Sequence, residues 1–375
     1  MSKLEKLIQQ YCPDGVEYKA LGEVTIMKRG TSATKGIMQA GNIPVISGGR
    51  QPAFYCNASN RTGEVITVAG SGAGAGYVQY WNEPIFVCDA FSIQGNETLN
   101  TKYVYYVLTS IQEKIYSTKK GGGVPHVHIS SIDKFEIPLP PLPVQEEIVR
   151  VLDAFTELQA ELQAELQAEL QKRKQQYNFY RDNLLNFKDI NRGGQEIKWM
   201  KLGKICSVLR GKRLTKSQLS SYGRYKVFHG GIEPIGHYDE CNREANTTMV
   251  INVGASAGTV GFSRDAFWSS DGCFCLSQNQ LFSGRYLYYY LQTKEPYLMS
   301  RVRKAGIPTL DGKVLEELII PIPPIDEQNR IVAILDRFDT LTNDLTSGLP
   351  AEMEKRRLQY EFYRDKLLTF KRKEA

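Results

Sequence analysis

Few residues in this 375-residue chain stand at spacings that could make or break bonds. Cys273-x-Cys275, with His237 and Cys241 upstream, offers zinc-type ligands but not the C-x-x-C spacing of a zinc site, so buried thiols are the expected reading. Pro13-Asp14 followed by Glu17-x-Lys19 is a nuclease metal motif in miniature, without the usual spread between the acids and without a counterpart in the second half. The run Gly70 to Gly76 fits neither G-x-G-x-x-G nor a P-loop, and Gly254 to Gly258 is merely rich in small residues; a tight turn is expected in each. His126-x-His128 has no carboxylate company, and no Asn-Pro-Pro-aromatic or Asp-Pro-Pro-aromatic motif occurs. None of these sets builds an active site, and no metal site is expected.

A different chemistry is written more coherently. Basic, glycine-bearing segments occur as Lys28-Arg29-Gly30, Ser47-Gly48-Gly49-Arg50-Gln51 and Lys119-Lys120 before three glycines. They recur as Arg210-Gly211-Lys212-Arg213, His229-Gly230-Gly231 and Arg301-Val302-Arg303-Lys304. Glycine lets a backbone approach a phosphate, Lys and Arg neutralise it, and Arg and Gln can read guanine and adenine edges. One basic loop is ordinarily solvated surface; recurrence at matched places in two halves raises the set to candidate DNA contacts.

The elements that must position these loops are themselves duplicated. Tyr177 to Phe187 returns as Tyr360 to Phe370, with eight of eleven residues identical at an offset of 183. The same offset links Ile137-Pro138-Leu139-Pro140-Pro141 to Ile320-Pro321-Ile322-Pro323-Pro324, and Gln145, Leu152, Asp153 and Phe155 to Gln328, Leu335, Asp336 and Phe338. Upstream the match loosens: Arg29-Gly30 recurs at offset 181 and Gly48-Gly49 at 182. Each copy thus has a divergent first part and a well-kept second part. Such a chain suits a pseudo-twofold shape and a target that also comes in halves, of which DNA is the commonest.

Residues 21–137 and 202–320 read as short β runs with Gly-rich turns, each closed by a short helix near Lys102 to Ser110 and Tyr286 to Thr293; the fold class is α+β. After each Pro-rich exit the text turns helical. Gln145 to Phe187 holds no Gly or Pro, which predicts a helix of about 65 Å. Its partner is the second copy, through Leu158, Leu162, Leu166 and Leu170 on one side and Leu341, Leu345, Leu349 and Met353 on the other, with Tyr177, Tyr180, Tyr360 and Tyr363 as further interface candidates. The first helix carries the repeat Glu-Leu-Gln-Ala from Glu157 to Ala168, whose period of four drifts by roughly 40° per repeat around the helix. It is expected to act as a spacer. Gly348-Leu349-Pro350 predicts a break near Ser347 to Pro350, with Pro350 starting a new helical stretch.

A net charge of +6 and 42% hydrophobic residues describe a mildly basic globular chain of two or three domains. Seven cysteines without paired spacing favour a reducing compartment, the charged N-terminus lacks a signal core, and no apolar run reaches membrane length. The expectation is a cytoplasmic protein without a membrane partner.

On the duplicated Ile-Pro-Leu/Ile-Pro-Pro exits, the Gln145 and Gln328 helix starts, the two Tyr-x-Phe-Tyr-Arg-Asp-x-Leu-Leu-x-Phe ends and the tetrapeptide repeat, the chain resembles the specificity subunit of type I restriction-modification systems over essentially its whole length. The resemblance implies two target recognition domains separated by two antiparallel spacer helices. Each domain would read half of a bipartite site on double-stranded DNA. The helices would set the spacing and dock two methyltransferase subunits, and two restriction subunits can join. It implies no catalysis and no cofactor in this chain, with S-adenosylmethionine, ATP and Mg on the partners. The boundaries expected are 1–20 for an N-terminal segment packing near the C-terminal helix, 21–142 and 202–325 for the recognition domains, 143–188 and 326–375 for the helices and 189–201 for a linker. The competing readings are a scaffold or adaptor that reads no DNA, and a DNA-acting enzyme with an unfamiliar site.

Overall fold

Val65–Ala69 and Thr247–Ile251 are buried at all five positions, because each is the inner strand of a covered sheet and is rich in β-branched residues. Around each a similar unit is built. The computed structural model describes residues 1–33, 39–121, 123–187, 197–277, 279–343 and 348–374. They fall into two units, Met1–Glu165 with Met353–Ala375, and Leu166–Glu352.

In the first unit an antiparallel sheet has the order Thr25–Arg29, Ala90–Gly95, Val65–Ala69, Val78–Trp81. A smaller sheet places Ile43–Ile46 between Phe54–Cys56, antiparallel, and Phe86–Val87, parallel. Glu17–Ala20 pairs with Glu136–Leu139. Asn100 caps the helix Thr101–Ser110, which buries Tyr103, Val104, Tyr106, Val107 and Leu108 in the core with Ile66, Val68, Phe91 and Ile93. The second unit repeats the plan: Val208–Arg210, Cys273–Leu276, Thr247–Ile251, Val260–Ser263; then Pro234–Tyr238, Tyr225–Phe228, Trp268–Ser269; then Lys198–Lys201 with Ile319–Ile322. Its helix Gly284–Gln292 buries Tyr286, Leu287, Tyr289, Tyr290 and Leu291. Cys273 and Cys275 sit in an apolar cluster with Phe228, Met249, Ile251 and Phe267, and burial pushes the Cys273 thiol up to about 12, as suits packing.

The central helix is Leu142–Leu185, three residues earlier than its first Gly- and Pro-free residue because Pro143 fits the unbonded first turn. Its first part belongs to the first unit and its remainder to the second. The second copy forms two helices, Ile325–Asn343 and Leu349–Leu368, with Pro350 in the first turn of the latter; Ser347 lies outside the described residues. Among the described residues no helix is long and apolar enough to cross a membrane.

The N-terminal helix Lys3–Tyr11, started by a Ser2–Glu5 capping box, adds Leu4 to the first core, where Leu368 also lies. Val16 bridges to Arg372, the Tyr18 hydroxyl donates to the Phe370 carbonyl at 2.9 Å, and Arg372 pairs with Glu136. The first and last segments of the chain therefore close one unit.

Candidate nucleic-acid interface

In the first unit the basic segments meet through backbone contacts. Lys120 and His126 exchange two hydrogen bonds, of 2.9 and 2.7 Å, and close a hairpin. That hairpin is held by Gly72, whose N–H donates to the Pro125 carbonyl at 3.0 Å, and Val127 N–H donates to the Gly70 carbonyl at 2.9 Å. Gly74 in turn lies against the Ser47-Gly48 loop so closely that a Cβ on it would stand 2.4 Å from the Gly48 carbonyl oxygen. Arg29, Gly30, Gly70, Asp89, His126 and His128 line one cleft of about 210 Å³. Asp89 accepts a hydrogen bond from Ser71 Oγ and is exposed in that cleft.

The second unit repeats the arrangement with different side chains. Arg303 and Thr309 exchange hydrogen bonds of 2.9 and 3.1 Å, and Gly254 N–H holds the hairpin through the Pro308 carbonyl at 2.9 Å. A Cβ on Gly272 would lie 2.7 Å from Gly230 N, so this contact too requires a bare backbone. Arg210 Nε donates to the Asp271 carbonyl at 3.4 Å, and His229 Nδ1 stands 3.4 Å from the Asp271 carboxylate.

The candidate cations are exposed at Lys28, Arg29, Arg50, Lys120, Arg210, Lys212, Arg213, Arg301, Arg303 and Lys304; Lys119 is half-buried. Arg50 lies over Tyr77, Lys119 over Tyr116 and Arg301 over Tyr297. Ser47, Gly48 and His229 are half-buried, and Gln51 is exposed beside Arg50. Sequence reasoning missed Asp89 and Asp271, which occupy matching places at the same offset of 182 as Gly48 and Gly230. A carboxylate there can accept from a cytosine amino group. It expected the turn Ser71 to Gly76 but not its role: bare backbone at Gly72 and Gly74 lets three loops touch.

In each unit the short helix is tied to a long one. The Tyr106 hydroxyl donates to Asp153 at 2.6 Å and Lys102 pairs with the same carboxylate at 2.8 Å. In the second unit Tyr289 donates to Asp336 at 2.5 Å, and Arg285 pairs with Asp336 and Asp339 at 2.7 and 2.6 Å. Burial and the facing carboxylate raise both phenols well above their ordinary value, so they remain donors. Gln145 and Gln328 are buried at the helix starts and hydrogen-bonded alike to Pro140 and Pro323.

Among the helix candidates, Tyr363 meets Phe155 edge-on at 6.4 Å and Tyr360 shares a 2.9 Å hydrogen bond with Thr156, both within the first unit. Leu158 and Leu162 line a cavity of about 250 Å³ with Tyr360 and Tyr363, but Leu158 is 61% exposed. In the second unit Tyr180 stacks on Phe338 at 5.5 Å, and the Tyr177 hydroxyl donates to Gln292 at 2.8 Å. Leu170 is buried, Leu166 half-buried and Leu341 exposed; Leu345 lies outside the residues whose side chains are described. Phe155 corresponds to Phe338 and Tyr363 to Tyr180, so each unit pairs the same two positions with the copies exchanged, edge-on in the first and stacked in the second.

Residues 13–172 and 195–355 each match the family described as Type I restriction modification DNA specificity domain. The Escherichia coli EcoR124I/EcoR124II specificity subunit is 31% identical over all of this chain and 98% of its own length. A chain from a structure describing complex assembly and conformational transition of the type I R-M system superposes with a TM-score of 0.66 at 20% identity, covering 95% of this chain and 98% of that one. The type I S subunit from M. genitalium gives 0.54 at 20% identity over 94% of this chain and 96% of its own.

Proposed function

The chain belongs to the type I restriction-modification DNA specificity family, and on that premise we propose that its two sets of converging basic loops each read one half of a bipartite site on double-stranded DNA. The observation that carries the reading is the recurrence, at equivalent places in both units, of exposed cations around close glycine-bearing loops that carry an acid, Asp89 in one and Asp271 in the other. Lys28, Arg29, Lys120, Arg210, Lys212, Arg213, Arg303 and Lys304 make no ion pair with a described residue, so their charge is available to phosphates. Neutralising phosphates fixes register and supplies salt-sensitive affinity. Arg50, Gln51, Asp89, His126, His229 and Asp271 carry the groups that can discriminate base edges.

The chain itself catalyses nothing in this reading. It carries no cofactor; two methyltransferase subunits docked on the helices bring S-adenosylmethionine, and restriction subunits with ATP and Mg join the complex in the cytoplasm. The Tyr106–Asp153 and Tyr289–Asp336 ties hold each unit's short helix to a long helix, so a change in helix length is expected to change half-site spacing. The deciding experiment is long-read detection of methylated adenine in the host with and without the chain. Loss of one bipartite motif is expected; an unchanged methylome in a strain with active methyltransferase subunits refutes the reading.

A further inference from the structure

The two hairpins Lys120 to His126 and Arg303 to Thr309 share a feature that charge does not explain. Ile307 is 70% exposed and Val124 is 55% exposed. They stand at the repeat offset of 183, each directly before the proline whose carbonyl is held by a glycine N–H. A single exposed apolar side chain is ordinary. Here a β-branched one is kept at the same place in two loops whose neighbouring residues differ, Gly121 to Gly123 in one and Lys304-Ala305-Gly306 in the other. Lys120 beside the first, and Arg303 and Lys304 beside the second, are exposed and make no ion pair with a described residue.

Each hairpin is a narrow two-chain turn closed by a single bridge pair, and the major groove of B-DNA admits two strands side by side with flanking cations at the phosphates. The apolar feature that the groove floor offers is the thymine 5-methyl group. Resting on the DNA reading above, we propose that each hairpin enters the major groove and that Val124 and Ile307 each contact a thymine methyl in the half-site its own unit reads. They are specificity-determining contacts. Ile307 fills its contact with one more methylene than Val124, and neither supplies a hydrogen bond, so discrimination is against the missing methyl.

The test uses the full chain assembled with its methyltransferase subunits, and duplexes carrying the methylated motif with each thymine replaced in turn by deoxyuridine. Affinity is read by fluorescence anisotropy. One deoxyuridine position in one half-site is expected to weaken wild-type binding about fourfold. Ile307→Ala is expected to weaken the thymine duplex by a similar factor and to lose its response to that position alone; Val124→Ala does the same in the other half. Ile307→Val retains the response. Unchanged affinity of Ile307→Ala, an even loss on every duplex with the deoxyuridine response intact, or a half-site without thymine in either strand overturns the proposal. A wild-type complex that prefers no bipartite duplex over a scrambled one overturns the DNA reading instead.

Discussion

Replacing Gln145 by alanine should destabilise the first unit by an amount its bonding dictates. The side chain is 1% exposed. Its carbonyl accepts from the Asn100 N–H at 2.8 Å, and its amide donates to the Pro140 carbonyl at 2.7 Å and the Thr98 carbonyl at 3.2 Å. Thr98 is exposed, so its carbonyl can turn to water. The other two groups are left without a partner, each at about 1–3 kcal/mol, and partial relaxation places the total near 3 kcal/mol. Asn100 also caps the helix Thr101–Ser110 through Tyr103 N–H, so its loosening adds to the loss rather than relieving it. For a unit of this size that is a fall in melting temperature of roughly 6–12 °C. Gln328→Ala should cost as much in the second unit, where the same amide serves Ser283, Pro323 and Leu281. Hydrogen exchange separates the two: the Asn100 amide should lose protection in Gln145→Ala only, and the Ser283 amide in Gln328→Ala only. A loss below about 1 kcal/mol, or an Asn100 amide as protected as in the wild type, would refute the reasoning.

Three further outcomes are expected. Three charge-assisted hydrogen bonds, two from Arg150 and one from Lys3, hold the Glu147 carboxylate down to about 2, below its ordinary 4.5. Its stabilisation is therefore full above the unfolded value and is lost as pH falls toward 2, so urea unfolding of Glu147→Gln should show lower stability at pH 7 and a flatter profile across that window. Gly74→Ala should cost about 1–3 kcal/mol and weaken selective DNA binding by titration, whereas Gly123→Ala, which meets nothing within 4 Å, should leave the stability unchanged in thermal melts. Deleting Glu161 to Ala164 removes about 6 Å of helix and roughly 40° of turn; sequencing of the methylated motif should show a gap shortened by about two base pairs with both half-sites intact.

How much of this was legible before the structure depends on which force shapes each part. The duplicated Pro-rich exits and Gln145 mark the strand-to-helix corners because buried polar groups there have one satisfying geometry, and that geometry fixes residue types. The break before Pro350 was legible because proline lacks a donor. The leucine stripe was a poorer guide: a period of four drifts off the seam, so Leu158 is exposed while Phe155 meets Tyr363. The run Gly70 to Gly76 does turn, with Ala75 N–H on the Gly72 carbonyl and Tyr77 N–H on the Gly74 carbonyl. Its role in joining three loops rests on the absence of side chains, which leaves no pattern to read. Asp89 and Asp271 are lone acids in the divergent segments, and it is their place beside equivalent loop contacts that draws attention to them.

The exchange of copies between the helix contacts sets an order of assembly on the growing chain. The second unit is contiguous, Leu166–Glu352, and all of its described partners have been synthesised before residue 353 is added. The first unit is not: Thr156 waits for Tyr360, 204 residues on, and Val16 waits for Arg372. The half that leaves the ribosome first is thus the half that finishes folding last, with its N-terminal helix lacking the Leu368 side of its core throughout translation. A premature stop near residue 353 would accordingly leave the second unit whole and strip the first.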